Sequence, residues 1–327
     1  MRLIFLGDVM LGRLVNECLA TVPPEYPWGD TVGVLRSADA LFINLECVLA
    51  DRGTACPGKT FTFRGDSRNV AVLDAVRVSA ASLANNHSLD YGPDALLDCL
   101  GLLRAHAIVP AGAGSSLEAA RAPAVVASAT VRVAFLAFTD DVPAWEAGEA
   151  APGIFHVPLT ASPPEPNPRF DGLLRAIEDA RGKGGLVIVS AHWGPNWGAA
   201  PLADHTRAAH LFIDRGADVV FGHSPHVVRG VEMYRGRPIL YGCGDFVDDY
   251  AVDPVRRNDQ SCIFCLDYDG GSVRQILLLP TLIARCQACL AGGSARARIV
   301  RMMQTLCANL GTAAHEVPEG LRIPVSA

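Results

Sequence analysis

The sequence predicts an α/β protein, and three observations carry that prediction. Short apolar, β-prone runs such as Val219-Val-Phe221 alternate along the chain with stretches of helical spacing. Each of several such runs passes directly into a carboxylate, asparagine or histidine. Half of the 327 residues are hydrophobic and 19% are charged, enough apolar material for a sizeable core and too little charge for a disordered chain. In open α/β sheets ligands collect at the carboxyl ends of strands, which is where these polar residues fall.

The elements follow in order. Arg2 to Leu6 reads as the first strand, ending at Gly7-Asp8, and the prolines of Pro23 to Pro27 break the chain after it. Ala40 to Asn44 is a second strand ending at Asn44-Leu45-Glu46. Asp51 to Asp66 reads as an exposed loop with a short alternating Phe61-Thr-Phe-Arg64 run, and Asn69 to Val76 has helical spacing. Val78 to Leu83 is a third strand, ending at Asn85-Asn86-His87. Pro93 to Ala105 is an amphipathic helix with Leu96, Leu97, Leu100 and Leu103 on one face. Val109 to Gly114 makes a strand and glycine turn. Ala124 to Ala127 with Val131 to Phe138 forms a hairpin-like pair.

Gly148 to Phe170 carries six prolines and reads as a long surface loop, a lid over the site. Beyond it, helix Gly172 to Arg181 leads to strand Gly185 to Ser190 and then to Ala191-His192-Trp193. Helix Leu202 to Arg215 precedes strand Asp218 to Phe221, which runs into Gly222-His223-Ser224-Pro225-His226. Pro238 to Tyr241 leads to Gly242-Cys-Gly-Asp245. Ser261 to Tyr268 and Val273 to Leu279 make a hairpin around Asp269-Gly270-Gly271, and a helix from about Ala295 to Leu310 closes the chain.

Composition excludes some partners. A formal charge of −6 gives no reason to expect nucleic acid or an anionic membrane surface. The apolar start is too short for a signal peptide, and no run of about 18 apolar residues occurs, so the sequence predicts a cytoplasmic protein without membrane insertion. The ten cysteines read as reduced thiols. Cys262/Cys265 and Cys286/Cys289 share a Cys-x-x-Cys spacing, but the first pair lies on a strand where residues three apart face opposite sides.

The His223-Ser-Pro-His226 turn presents two imidazoles from a bent backbone, since Pro225 steers Ser224 away from helix. Neutral imidazole is a common ligand for first-row metals, and other strand ends deliver Asp8, Glu46, Asn86, His87 and His192. Arg13 and Arg64 are candidates to hold a carboxylate or phosphate of a substrate, the bland alternative for each being a solvated arginine. Trp193, with Trp197, is a candidate pocket wall or a core residue. Asp245 is a candidate substrate contact, with Asp248 and Asp249 read as solvated.

Taken in order, Gly-Asp8, Asn-Leu-Glu46, Asn-Asn86-His87 with Asp90-Tyr-Gly, His192-Trp-Gly, His223-Ser-Pro-His226 with Glu232, and Tyr241-Gly-Cys-Gly-Asp-Phe246 resemble the CapA family, named for poly-γ-glutamate capsule synthesis and related to calcineurin-like metallophosphoesterases. The resemblance spans about residues 1 to 280. It implies a four-layer αββα sandwich, with a domain over 1–282 and a helical extension over 283–327 packed on it. It also implies one or two divalent ions (Mn, Zn or Fe), with Asp8 and His226 on one, Asn86, His192 and His223 on the other, and Glu46 bridging. His87 would be the proton donor to a leaving group. The implied activity is a metal-dependent hydrolase for a phosphoester or γ-glutamyl-type amide, in an anionic small molecule or polymer. The alternative is a non-catalytic, metal-binding component of a polymer synthesis or export assembly. A third reading is a tailoring enzyme for a small amino-acid-derived metabolite. The sequence departs from the phosphoesterase pattern at Met10, where a metal-ligating His is usual, and at Ser88, where an Asp follows the Asn-His. Asp245 stands where CapA-like chains usually carry Asn.

Overall fold

The computed structural model describes residues 1–127, 131–159 and 167–325. Its first sheet has ten strands built around Arg2–Val9, which pairs in parallel with Ala40–Leu45 on one side and antiparallel with Gln260–Tyr268 on the other. Ala80–Ser82 and Val109–Ala111 continue the parallel half, and Val273–Ala284 and Gly320–Pro324 the antiparallel half. The second sheet has six strands. Arg132–Thr139, Leu186–His192, Val219–His223 and Arg237–Leu240 are parallel, with Ala124–Ala127 and Val231–Tyr234 antiparallel at its edges.

The alternation of side chains along these strands explains the layering. Leu3 and Phe5 face the second sheet, whereas Ile4 and Leu6 face a helical layer containing Leu73, Leu96 and Leu100. In the second sheet Val133 and Phe135 point inward, while Ala134 and Leu136 pack on Leu173, Ile177 and Phe212 of its own helices. Three apolar clusters between four layers make the αββα sandwich. Phe42 stacks on Phe5 at 5.0 Å and meets Phe135 of the opposite sheet at 5.2 Å, and Phe5 meets Phe221 at 5.2 Å. Cys262 and Cys265 fall into different clusters on opposite faces of their strand, as its alternation requires.

Two expectations need correction. Segment 283–327 is more than a helical extension. Its strands Gln287–Leu290, His315–Val317 and Gly320–Pro324 belong to the first sheet, and Ile299, Val300 and Met303 of its helix Gly293–Ala308 enter the cluster between the sheets. The proline-rich stretch from Gly148 is not a surface lid in its first half. Gly153–Ile154 pairs with Ala113–Gly114, and Phe155 and Val157 are buried in the outer cluster. Residues 160–166 lie outside the described residues, and helix already begins at Pro168.

Truncating Phe42 to Ala removes the ring that ties the two sheets and should cost about 3–5 kcal/mol. Denaturant unfolding of Phe42→Ala beside the wild type checks this, and a loss under about 1 kcal/mol contradicts the bridging role.

Candidate metal centre

The parallel strands of both sheets end on the same side, and their last residues meet in the cleft between them. Asp8 lies near the end of Arg2–Val9, opposite Asp245 of Asp245–Val247, which lies beside it in parallel. That approach requires glycine before Asp8: a Cβ on Gly7 would lie 1.9 Å from the carbonyl oxygen of Gly244. The Asp8 N–H donates to that carbonyl at 2.8 Å. His192 and His223 end adjacent parallel strands in register. Beyond His223 the chain turns through Ser224 with φ of 97°, a left-handed conformation that costs a non-glycine residue energy and aims His226 back into the cleft.

The donors form two groups that share one carboxylate. Ligand atoms of Asp8, His192 and His223 lie within 4.8 Å of one another, as do those of Asp8, Glu46, His226 and Asp245. The Nδ1 atoms of His192 and His223 are 2.9 Å apart, and Ser190 Oγ meets His223 Nε2 at 2.7 Å. Asn44, absent from the candidate ligands, donates from Nδ2 to Asp8 Oδ1 at 2.8 Å, and Asn85 donates to Asn44 Oδ1 at 3.1 Å. The geometry therefore shares Asp8 between the groups, where the resemblance implies Glu46 as the bridge. Asn86 lines the adjoining cavity, and its Oδ1 is buried without a partner.

The electrostatics are those of a site with too much negative charge and too little water. Burial, then the neighbouring Asp245 charge, raises Asp8 to about 7. Burial, then Asp8, holds Glu46 well above the carboxylate range, and burial, then Asp245, does the same to Asp248. His226 goes the other way. Burial works against its charge, but Asp245, whose Oδ1 accepts from Nδ1 at 2.8 Å, together with Glu46 and Asp8 outweighs it and raises His226 well above the ordinary imidazole range. Burial lowers His223 to about 3, and burial with the nearby His223 lowers His192, so both present neutral rings. Asp8 Oδ2, Asp245 Oδ2 and Asp248 Oδ2 are buried without hydrogen-bond partners. Buried orphan carboxylate oxygens beside neutral imidazoles suit divalent cations.

Met10 is fully buried in the outer core, where its Sδ accepts from the Gly12 N–H, so it leaves no ligand toward the cleft. Asp245, expected from the sequence as a substrate contact, lies in the donor group with Asp8, Glu46 and His226. Asp248 is also buried and is not solvated.

His87 stands at the wall of a cavity of about 540 Å³ that opens from this cleft. Its Nδ1 lies 2.5 Å from Asp90 Oδ2, and Phe63 stacks on its ring at 3.8 Å. Asp90 thus orients the imidazole, three residues along the turn, in place of the carboxylate missing at Ser88. Ser88 instead donates its hydroxyl to Asn85 Oδ1 at 3.1 Å. Lys59 donates to Asp90 and to the Asn86 carbonyl. Of the remaining candidates, Arg13 and Trp197 line the cavity. Arg64 does not, and its guanidinium lies over Tyr91 at 4.5 Å. Trp193 is a core residue, stacked on His205 and donating to the Tyr241 carbonyl.

The two packed sheets and the helices on their outer faces define a four-layer αββα sandwich with polar strand ends facing one cleft. The chain belongs to the family described as "Bacterial capsule synthesis protein PGA_cap", whose profile matches residues 2–250. It is 39% identical over 292 residues to a "Probable polyglutamine synthesis accessory protein" of Mycobacterium tuberculosis, covering 85% of this chain and 76% of that one. To the "PGA biosynthesis protein CapA" of Bacillus subtilis it is 29% identical over 248 residues, covering 75% of this chain and 62% of that one. A crystal structure of a hypothetical protein from Thermus thermophilus superposes with a TM-score of 0.50 at 16% identity, covering 86% of this chain and 98% of the other. Among the described residues no helix is long and apolar enough to cross a membrane.

The raised Asp8 predicts a pH effect. The unfolded chain releases this proton above about pH 4, while the metal-free folded protein keeps it to about 7. Asp8 therefore lowers stability progressively across that window, by on the order of 4 kcal/mol once ionised. In EDTA at about pH 7.5, Asp8→Asn should melt above the wild type, and Mn²⁺ should raise the melting temperature of the wild type only. A lower melting point for Asp8→Asn together with an undiminished Mn²⁺ response contradicts this account.

Proposed function

We propose that this protein is a divalent-cation-dependent hydrolase of capsule-type poly-γ-glutamate metabolism, acting on a phosphoester or γ-glutamyl-type amide in an anionic small molecule or polymer. The observation that carries the reading is the group of orphan oxygens on Asp8, Asp245, Asp248 and Asn86, beside neutral imidazoles next to a cavity whose wall holds an oriented histidine. Asp8, His192 and His223 would hold one ion, with Asn86 close by. Asp8, Glu46, Asp245 and His226, the last on losing the proton it carries in the cation-free protein, would hold a second. The donor chemistry suits Mn, Zn or Fe. When bound, such ions supply Lewis-acid stabilisation of a developing oxyanion and acidify a coordinated water.

The remaining work belongs to side chains. His87 is lowered to about 4, with burial as the main cause, and is neutral at physiological pH. With Nδ1–H committed to Asp90, its Nε2 presents a lone pair, so His87 takes up there the proton that the attacking water loses and delivers it to the leaving group. Lys59 neutralises Asp90, so the dyad carries no net negative charge to repel an anionic substrate. Phe63 and Tyr250 hold apolar surface against His87 and His226 and limit water at the reacting bond.

A second reading takes its support from the word "accessory" in the name of the mycobacterial relative. In it, the chain is a cation-binding component of a polymer synthesis or export assembly and turns nothing over.

Elemental analysis should find one or two equivalents of Mn, Zn or Fe in the purified protein and much less in a His192→Ala, His223→Ala double variant. Equal trace metal in both rejects the centre. In a screen of aryl phosphates, phosphodiesters and γ-glutamyl amides, His87→Ala should lower kcat by about 10²–10⁴-fold with metal content retained. A metal-loaded wild type inert to the whole screen favours the second reading.

A further inference from the structure

Two long cationic side chains line the cavity, and they are not equivalent. Lys59 donates to the Asn86 carbonyl and to Asp90, lies 3.3 Å from His87 Nδ1 and stands over the Trp145 ring, so its ammonium is committed within the protein. Arg13 is committed only at its near end. Its Nε meets Asp249 Oδ2 at 3.4 Å, and that oxygen also accepts from the Leu14 N–H at 2.9 Å. The guanidinium carbon lies 5.6 Å from the ring centres of both Phe61 and Phe63. The two terminal nitrogens have no partner among the described residues, and the side chain is about one-third exposed.

The backbone at Arg13 has φ of 50°, a left-handed conformation unfavourable for a residue with a side chain. Such strain persists where the surroundings hold it, and here they do: the following N–H and the Arg13 Nε both bind the buried Asp249 carboxylate. The result is a guanidinium held at its inner edge and by two rings, with its bidentate edge uncommitted. A fork of that geometry matches the paired oxygens of a carboxylate or phosphoryl group.

We infer that Arg13 is a specificity-determining residue that binds a second anionic group of the substrate, remote from the bond attacked at the cation centre. The ligand class is a dianion, one end on the cations and the other, carboxylate or phosphoryl, on Arg13. This rests on the cation centre of the proposed function, and the substrate is thereby one whose charges are separated along a chain.

The test uses binding alone. Succinate, glutarate and adipate, each beside its monomethyl ester, are titrated calorimetrically into the Mn²⁺-loaded protein, with 4-phosphonobutyrate as the phosphoryl arm. At least one dianion should bind ten-fold or more tighter than its ester, and whichever of glutarate and 4-phosphonobutyrate loses more affinity in Arg13→Ala identifies the group that Arg13 takes. In Arg13→Ala that preference should disappear while ester affinity and Mn²⁺ binding stay the same, and Arg13→Lys should restore part of it. Esters binding as tightly as the dianions, or the preference surviving in Arg13→Ala, overturns the role of Arg13. Failure of esters and dianions alike, with no Mn²⁺ uptake, overturns the cation centre and this inference with it.

Discussion

The buried carboxylate of Asp8 is the constraint on which the rest of the site depends. It is almost fully withdrawn from water, shared by both donor groups, and lies beside Asp245 because their strands run parallel in register. Like charges at such spacing in a dry cleft are unfavourable, and Asn44 with the charged His226 offsets only part of the cost. The arrangement makes sense as one completed by positive charge from outside. Neutral His192 and His223 contribute donors without adding to the acidity, which divides the centre into a more acidic half and a more neutral one.

Geometry beyond the ligands follows from the two sheets. Because the parallel strands end together, each brings its terminal polar residue to one cleft, and the aromatic contacts of Phe5, Phe42, Phe135 and Phe221 set how far apart those ends lie. The cavity beyond is chemically graded. His226 of the acidic donor group lines one part of it, His87 and Lys59, joined through Asp90, line another, and Arg13 stands in it among aromatic rings. That grading suits an anionic ligand better than a neutral one.

Much of this is legible in the sequence because an apolar run that gives way to Asp, Glu, Asn or His marks a strand end at the cleft between the sheets. Asp8, Glu46, Asn86, His87, His192, His223 and His226 all stand out that way, and the structure gathers them around one cleft. What escapes such a reading depends on direction and on contacts across the fold. Asp90 sits three residues beyond His87 and matters only because the turn folds it back. Asp245 and Asp248 follow a glycine-rich turn, and nothing local reveals that their segment lies beside Arg2–Val9. Trp193 and Arg64 adjoin ligands or aromatics in sequence but point elsewhere. The prolines after Gly148 suggest surface, yet proline leaves Phe155 and Val157 free to pack.

The parallel pairing of Arg2–Val9 with Asp245–Val247 also bears on how the protein is made. Arg2–Val9 leaves the ribosome ahead of its neighbours and is a middle strand of its sheet, yet three of its partners are separated from it unequally. Ala40–Leu45 follows within forty residues, whereas Asp245–Val247 and Gln260–Tyr268 are among the later elements. The strand therefore exposes one unpaired edge until most of these residues have been synthesised, a high-contact-order arrangement that folds slowly and is prone to misassociation. Both donor groups draw on this late closure, since Asp8 must meet residues from 192 onward. The donor groups are thus a property of the closed sheet and assemble only with the strands that close it.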